Sequence, residues 1–248
     1  MPNLKLFLLA LGFYTRFPVP KNQDYSGLPQ ASVYLPLIGW LVGGSAGLCF
    51  YLADLLLPTT TAVILALIGG ILLTGAFHED GFADVCDGFG GGYGKQQILD
   101  IMKDSRIGAY GTLGLILLIA LKISLLTSLS ASEIPFALIA GHSTSRLQPL
   151  FVMRRYPYAR TGGGKSHVAL FKPGFGDLMF AAIVAFLPLL FLPDIGLLAI
   201  PVVVLSNWQL GRYFYRHIGG YTGDCLGASQ QVAEVVFYLG IVGLWTYS

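Results

Sequence analysis

The stretch TAVILALIGGILLTGAF, residues 61–77, runs straight into HEDGFADVCDGFGGGYG, residues 78–94. The first half carries no charge. A helix rises about 1.5 Å per residue, so this half covers most of a hydrocarbon core about 30 Å thick. The second half opens on acids and glycines at the point where such a span would reach a membrane face. Six further stretches read as helical spans on the same grounds: Val33–Leu57, Thr112–Leu129, Pro135–Met153, Leu178–Leu192, Leu197–Leu210 and Gln230–Trp245. The fifth and sixth spans are alternatively one re-entrant pair around Leu192-Pro193-Asp194. Leu4–Phe13 is too short to span and lacks a cleavage site, so it reads as an interfacial helix rather than a signal peptide. The expected fold is an all-α integral membrane protein of about seven transmembrane helices with an N-terminal interfacial helix. Residues 1–248 form one polytopic domain, with a cytoplasmic catalytic segment over 78–111.

Composition agrees. Charged residues make up 11% of 248 and hydrophobic ones 54%, with a mean hydropathy of +0.68. Soluble domains carry about 25% charge, and disordered chains need low hydrophobicity. The net charge is only +2 and the basic residues are scattered, so no nucleic-acid partner is expected. Cys49, Cys86 and Cys225 are far apart and odd in number, which supports neither a disulfide framework nor a zinc site. Of fifteen basic residues, all but Lys122 and Arg146 fall in connections on one side of the proposed spans. The positive-inside rule makes that side cytoplasmic, with the N-terminus inside and the C-terminus outside.

Six of the thirteen acids lie between positions 79 and 104: Glu79, Asp80, Asp84, Asp87, Asp100 and Asp104. On a helix, Asp80, Asp84 and Asp87 share a face at i, i+4 and i+7, and Asp100 and Asp104 repeat the i, i+4 spacing. Two such helices facing each other would crowd five carboxylates, which resist joint ionisation. A divalent cation resolves the repulsion, and all-oxygen ligands suit Mg²⁺ or Mn²⁺ rather than Zn²⁺. The bland alternative is a solvated acidic loop. Such a cluster at a membrane face points to phosphoryl or phosphodiester transfer. Lys103, Arg106 and Arg146 are the cations placed to contact phosphates. Arg146 stands inside a span, where its structural alternative is a partner for Asp54 or Asp194. His78 adjoins the cluster as a general base, an extra ligand or a hydrogen-bonding neighbour.

Two glycine-rich stretches add candidates. Residues 219–228, GGYTGDCLGA, place Asp224 where it cradles phosphate, ligates metal or merely sits in a turn. Residues 161–166, TGGGKS, lack the first glycine of a Walker A loop and read as a cytoplasmic loop. Glu234, inside the last span, needs a partner.

At residues 78–88, HEDGFADVCDG, the chain resembles the signature of the adenosylcobinamide-GDP ribazoletransferase, or cobalamin 5′-phosphate synthase, family. FYTRFPVP (13–20), PLIG (36–39), KDSRIGAYG (103–111) and YTGDCLGA (221–228) match further stretches of that family in order. The resemblance implies a membrane-bound, Mg²⁺-dependent transferase in the cytoplasmic (inner) membrane. It joins α-ribazole, or its 5′-phosphate, to adenosylcobinamide-GDP and releases GMP, the last step of nucleotide-loop assembly in cobalamin. On this reading Glu79, Asp80, Asp84, Asp87, Asp100 and Asp104 hold metal. Asp84, Asp104 or His78 takes the proton, and Lys103, Arg106, Arg146 and Asp224 bind substrate. The partners are the two small molecules and the lipid bilayer, and a homo-oligomer is left open. Asp84-x-x-Asp87-Gly88 with Asp100-x-x-x-Asp104 is also similar to the CDP-alcohol phosphotransferases, which is the alternative enzyme. A cation transporter is disfavoured, because the acids gather at span ends rather than the midplane.

Overall fold

Apolar helices with glycine at the contact face set the architecture. In the computed structural model, which describes residues 3–20, 24–160, 171–192 and 194–245, the eleven α-helices are α1 (Leu4–Tyr14), α2 (Leu28–Ala31), α3 (Leu35–Asp54), α4 (Thr59–Thr74), α5 (Phe77–Gly91), α6 (Lys95–Ile101), α7 (Ala109–Thr127), α8 (Ile134–Arg155), α9 (Phe175–Phe186), α10 (Ala199–Ile218) and α11 (Gly223–Trp245). Short 3₁₀ turns join several of them. The only β feature among the described residues is an isolated bridge between Tyr158 and Tyr221. Lys21, Lys165, His167, Pro193 and the 161–166 stretch lie outside the described residues.

The spine is α3 against α8. A Cβ on Gly39 would overlap the His142 carbonyl oxygen, and one on Gly43 would come within 2.7 Å of the Ile139 Cα. Small residues let two backbones approach, which is how helices gain packing where lipid removes the hydrophobic drive. α4 and α7 flank this pair, and α11 packs against α5, α8 and α10. The core between them is Ala46, Phe50, Leu67, Leu126, Leu138, Phe237 and their neighbours. α1 starts on Asn3, whose Oδ1 accepts from the Lys5 N–H, and buries Leu9 and Ala10 beside Ile38 and Val42 of α3.

All seven apolar segments are helical, but the count of seven spans is not fixed. Among the described residues, three stretches are long and apolar enough to cross a membrane: Tyr25–Asp54, Ala109–Thr127 and Gly223–Leu244. The bent pair Thr59–Thr74 with Phe77–Gly91 makes a fourth only when its two helices are taken as one span. α8 has the length, but His142, Ser143, Thr144, Ser145, Arg146 and Gln148 lower its hydropathy, and all of them are buried inside the bundle. α9 has only 12 residues, and α10 carries Asn207, Arg212 and Arg216. Apolar runs in sequence do not separate helices that face lipid from helices sheathed by protein.

The turn that matters for the site lies between α4 and α5. Gly75 (φ 66°) and Ala76 (φ 59°) are both left-handed, and the two helix axes meet at 91°. Gly75 suits that conformation, and the Arg16 guanidinium lies over it, 2.8 Å from where a Cβ would stand. α5 therefore turns across the end of the bundle instead of continuing the span.

The close α3–α8 contact predicts a contrast. Gly39→Ala should cost about 1–3 kcal/mol through overpacking. Gly44→Ala, whose Cβ would meet nothing within 4 Å, should change stability by less than about 0.5 kcal/mol. Thermal unfolding in detergent micelles reads both.

Candidate active site

α5 sorts its polar side chains onto different faces, because successive residues turn by about 100°. Asp80 is exposed, and Asp84 and Asp87 are half-buried. Glu79 points the other way, into the bundle, where its Oε1 accepts from Gln231 Nε2 at 2.9 Å. Its Oε2 is buried without a hydrogen-bond partner.

α11 brings a further acid to this helix. Gly81 and Gly227 form the crossing: a Cβ on Gly81 would lie 3.0 Å from the Asp224 backbone, and one on Gly227 would lie 3.2 Å from the His78 carbonyl. Asp224 accordingly sits beside Asp80 and Asp84. Its Oδ2 accepts from Arg160 Nη2 at 2.9 Å and from Thr222 Oγ1 at 3.2 Å. Arg160 is held there by a two-bond ladder, Ala159 N–H to Tyr221 O at 2.8 Å and Tyr221 N–H to Pro157 O at 3.0 Å. Its Nε has no partner, so part of the guanidinium is uncommitted. Burial pushes the Asp84 carboxyl up to about 7, and the like charges of Asp224 and Asp80 add to that, while Arg160 opposes.

Asp87 has a structural role. Its Oδ2 accepts from the Gly108 N–H at 2.7 Å and its Oδ1 from the Gly111 N–H at 2.8 Å. It caps α7 from another helix, where a carboxylate meets the positive end of the helix dipole. Side chains at Gly108 or Gly111 would run into that carboxylate.

The structure does not bring Asp100 and Asp104 to the acids of α5. α6 ends at Ile101, so the two acids do not share a helical face. Ile98, Leu99 and Met102 take the inward positions, with Ile98 and Met102 beside Gly88 of α5. Asp100 accepts from Gln96 of its own helix. Asp104 is gripped by Arg106 in an exposed pair at 2.6 Å, which lowers its carboxyl to about 2. Lys103 is exposed on the same loop. Among the described residues no three His, Cys, Asp or Glu side chains gather as a metal-holding group.

Two further expectations are corrected. Arg146 is 1% exposed and hydrogen-bonds His142 Nδ1 at 2.9 Å, so it does not join Lys103 and Arg106 at the surface. Of the two proposed acids, Asp54 accepts from Thr59 Oγ1 at 2.9 Å, and the Asp194 side chain lies outside the described residues. Arg146 belongs instead to a buried network on Glu234. Lys122 Nζ lies 2.9 Å from Glu234 Oε1 and donates to Gln231 Oε1 at 2.8 Å. Gln230 Nε2 donates to Glu234 Oε2 at 2.8 Å, and His142 Nδ1 lies 3.4 Å from the same oxygen. His78 is also buried, against Phe77 and Tyr14, in the wall of an aromatic cavity. Sequence reasoning missed Arg160, whose only signal was its membership of a basic connection.

The chain matches the model of the cobalamin-5-phosphate synthase family over residues 6–242. It belongs to that family. Curated relatives named adenosylcobinamide-GDP ribazoletransferase include one from Shewanella amazonensis, 44% identical over 99% of this chain and 98% of the relative. A relative of the same name from Ralstonia nicotianae is 42% identical over 97% and 95%, and one from Ralstonia pickettii is 41% identical over 94% and 93%. No solved structure matches. For this member of the cobalamin-5-phosphate synthase family, the match covers α5, the segment that carries Arg160 and the start of α11, where Asp80, Asp84, Asp224 and Arg160 meet.

The buried pair predicts a double-mutant result. Glu234→Ala should destabilise by about 3–5 kcal/mol, because Lys122 is left charged and buried, whereas Lys122→Met with Glu234→Leu should recover part of that loss. Denaturant unfolding in mixed micelles measures the coupling.

Proposed function

We propose that the chain transfers the adenosylcobinamide phosphoryl unit of adenosylcobinamide-GDP to α-ribazole, giving adenosylcobalamin and GMP. With ribazole 5′-phosphate the product is adenosylcobalamin 5′-phosphate. The single observation that supports this most is the meeting of Asp80, Asp84, Asp224 and Arg160 at one end of an apolar bundle, within segments matching the cobalamin-5-phosphate synthase model.

The residues divide the work as follows. Asp80 and Asp224 are the carboxylates to hold Mg²⁺. Their fit rests on the all-oxygen donor set and on the strain that like charge puts on Asp84, which a dication relieves. When bound, Mg²⁺ supplies charge neutralisation to the pyrophosphate and the departing GMP. The ribose hydroxyl of ribazole attacks the phosphorus on the cobinamide side, and the bond from that phosphorus to the bridging oxygen of GMP breaks. Asp84 takes the hydroxyl proton, since a carboxyl near 7 is matched to general-base work. Asp104, held near 2 by Arg106, is a poor base. Arg160, whose side chain is 26% exposed, supplies positive charge to phosphate oxygens, and Lys103 and Arg106 attract the anionic substrate from the rim. The basic residues of the helix connections support a cytoplasmic site in the inner membrane.

Purified protein in liposomes should form a cobalamin and GMP from the two substrates with Mg²⁺ and stop in excess chelator. Asp84→Asn should lower kcat by about 10²–10⁴. Full turnover in chelator or in that variant would overturn the assignment. A protonated Asp84 cannot accept, so kcat/KM should fall as pH drops. The midpoint should lie at or below about 7, because a nearby cation lowers a carboxyl pKa. A pH profile at saturating Mg²⁺ reads the limb, and Asp84→Asn should lack it.

A further inference from the structure

Beside the carboxylates, on the other side of the first turn of α11, lies a cavity of about 670 Å³. Ligand pockets run to about 300–1,000 Å³. Its walls are aromatic and apolar, chiefly Phe13, Tyr14, Tyr25, Phe77, Met153 and Tyr158. Among the described residues, no Asp, Glu, Lys or Arg lines it. Gly223 and Gly227 face it from α11, and Asp224 stands between them in sequence, with its carboxylate on Arg160. Tyr158 closes the cavity two residues from Arg160, on the segment bridged to Tyr221. His78, a wall residue, is 4% exposed, and its Nδ1 has no hydrogen-bond partner.

We propose that this cavity binds a neutral, flat, bicyclic aromatic base carrying a ribose, which is α-ribazole if the reaction above is the one performed. The uncharged wall discriminates between the two substrates. A pyrophosphate-bearing molecule would lose its hydration there without any cation in return, whereas an uncharged base gains burial and ring-to-ring contact with tyrosine and phenylalanine. The rings on several walls discriminate against the other apolar occupant at a membrane surface, an acyl chain: a flat base gains ring-to-ring contact with Tyr14, Tyr25, Phe77 and Tyr158, and a flexible hydrocarbon does not. Placement completes the argument: a base seated against Gly223 and Gly227 projects its sugar around α11 toward Asp224 and Asp84, where the attacking hydroxyl is needed.

Gly223 gives the test. A Cβ there would meet no atom within 4 Å, so Gly223→Leu adds its side chain at an open point of the cavity wall. Tyr25→Ala removes an aromatic wall residue that is 54% exposed and so puts little of the fold at risk. With liposome-reconstituted enzyme, each variant should raise the KM for α-ribazole by about tenfold or more and leave the KM for adenosylcobinamide-GDP unchanged. Unchanged KM for α-ribazole in both variants would overturn the proposal, as would equal rises for both substrates. Equilibrium dialysis of α-ribazole against wild type and Gly223→Leu needs no turnover and separates this proposal from the reaction itself. Binding by wild type that the variant loses supports the cavity even if no cobalamin forms. Equal binding by both, no binding by wild type, or binding that lipids of longer acyl chain displace would overturn it.

Discussion

The Lys122–Glu234 pair constrains the whole bundle. Both groups are buried, and an unpartnered charge there would cost several kcal/mol. Glu234 therefore binds α11 to α7 through Lys122. Gln230 extends the tie to Ser145, and Gln231 extends it to Glu79 on α5. Four helices are pinned in rotation about their own axes by hydrogen bonds that have direction, which apolar packing alone does not supply. Gly223 and Asp224 lie on the same rigid helix as Glu234. The position of the proposed metal and substrate groups is thus set from within the bundle.

On that foundation α5 serves three neighbours. One face bonds inward through Glu79, another holds the start of α7 through Asp87, and a third presents Asp80 and Asp84 alongside Asp224. The acidic run in the sequence is therefore not one cluster with one role. Its members share a helix but not an environment, and the environment decides which carboxylate is structural and which is available for chemistry.

Apolar length was enough to mark α3, α4 and α7 to α11, because each such segment has few alternatives to a helix where water is scarce. It did not set the number of crossings, since α8 hides its polar residues inside the bundle and sequence composition records polarity, not burial. The spacing that put Asp80 and Asp84 on one face held because α5 is regular through those positions. The same spacing misled at Asp100 and Asp104, because α6 stops at Ile101. Arg146 needed a buried partner, as its place in a span implied, but that partner was its own helical neighbour His142. The proximity of Arg160 to Asp224, 64 residues apart, depends on a short backbone ladder that no local pattern announces.

The right-angled corner at Gly75 and Ala76 has a consequence for how this sequence can change. Upstream of it, a residue gained or lost lengthens or shortens a lipid-facing rod and is absorbed by tilt. Just downstream, the same event would rotate α5 by about 100°, and the carboxylates now beside Asp224 would trade places with the one that bonds into the interior. Chain length is elastic before the elbow and rigidly phased after it.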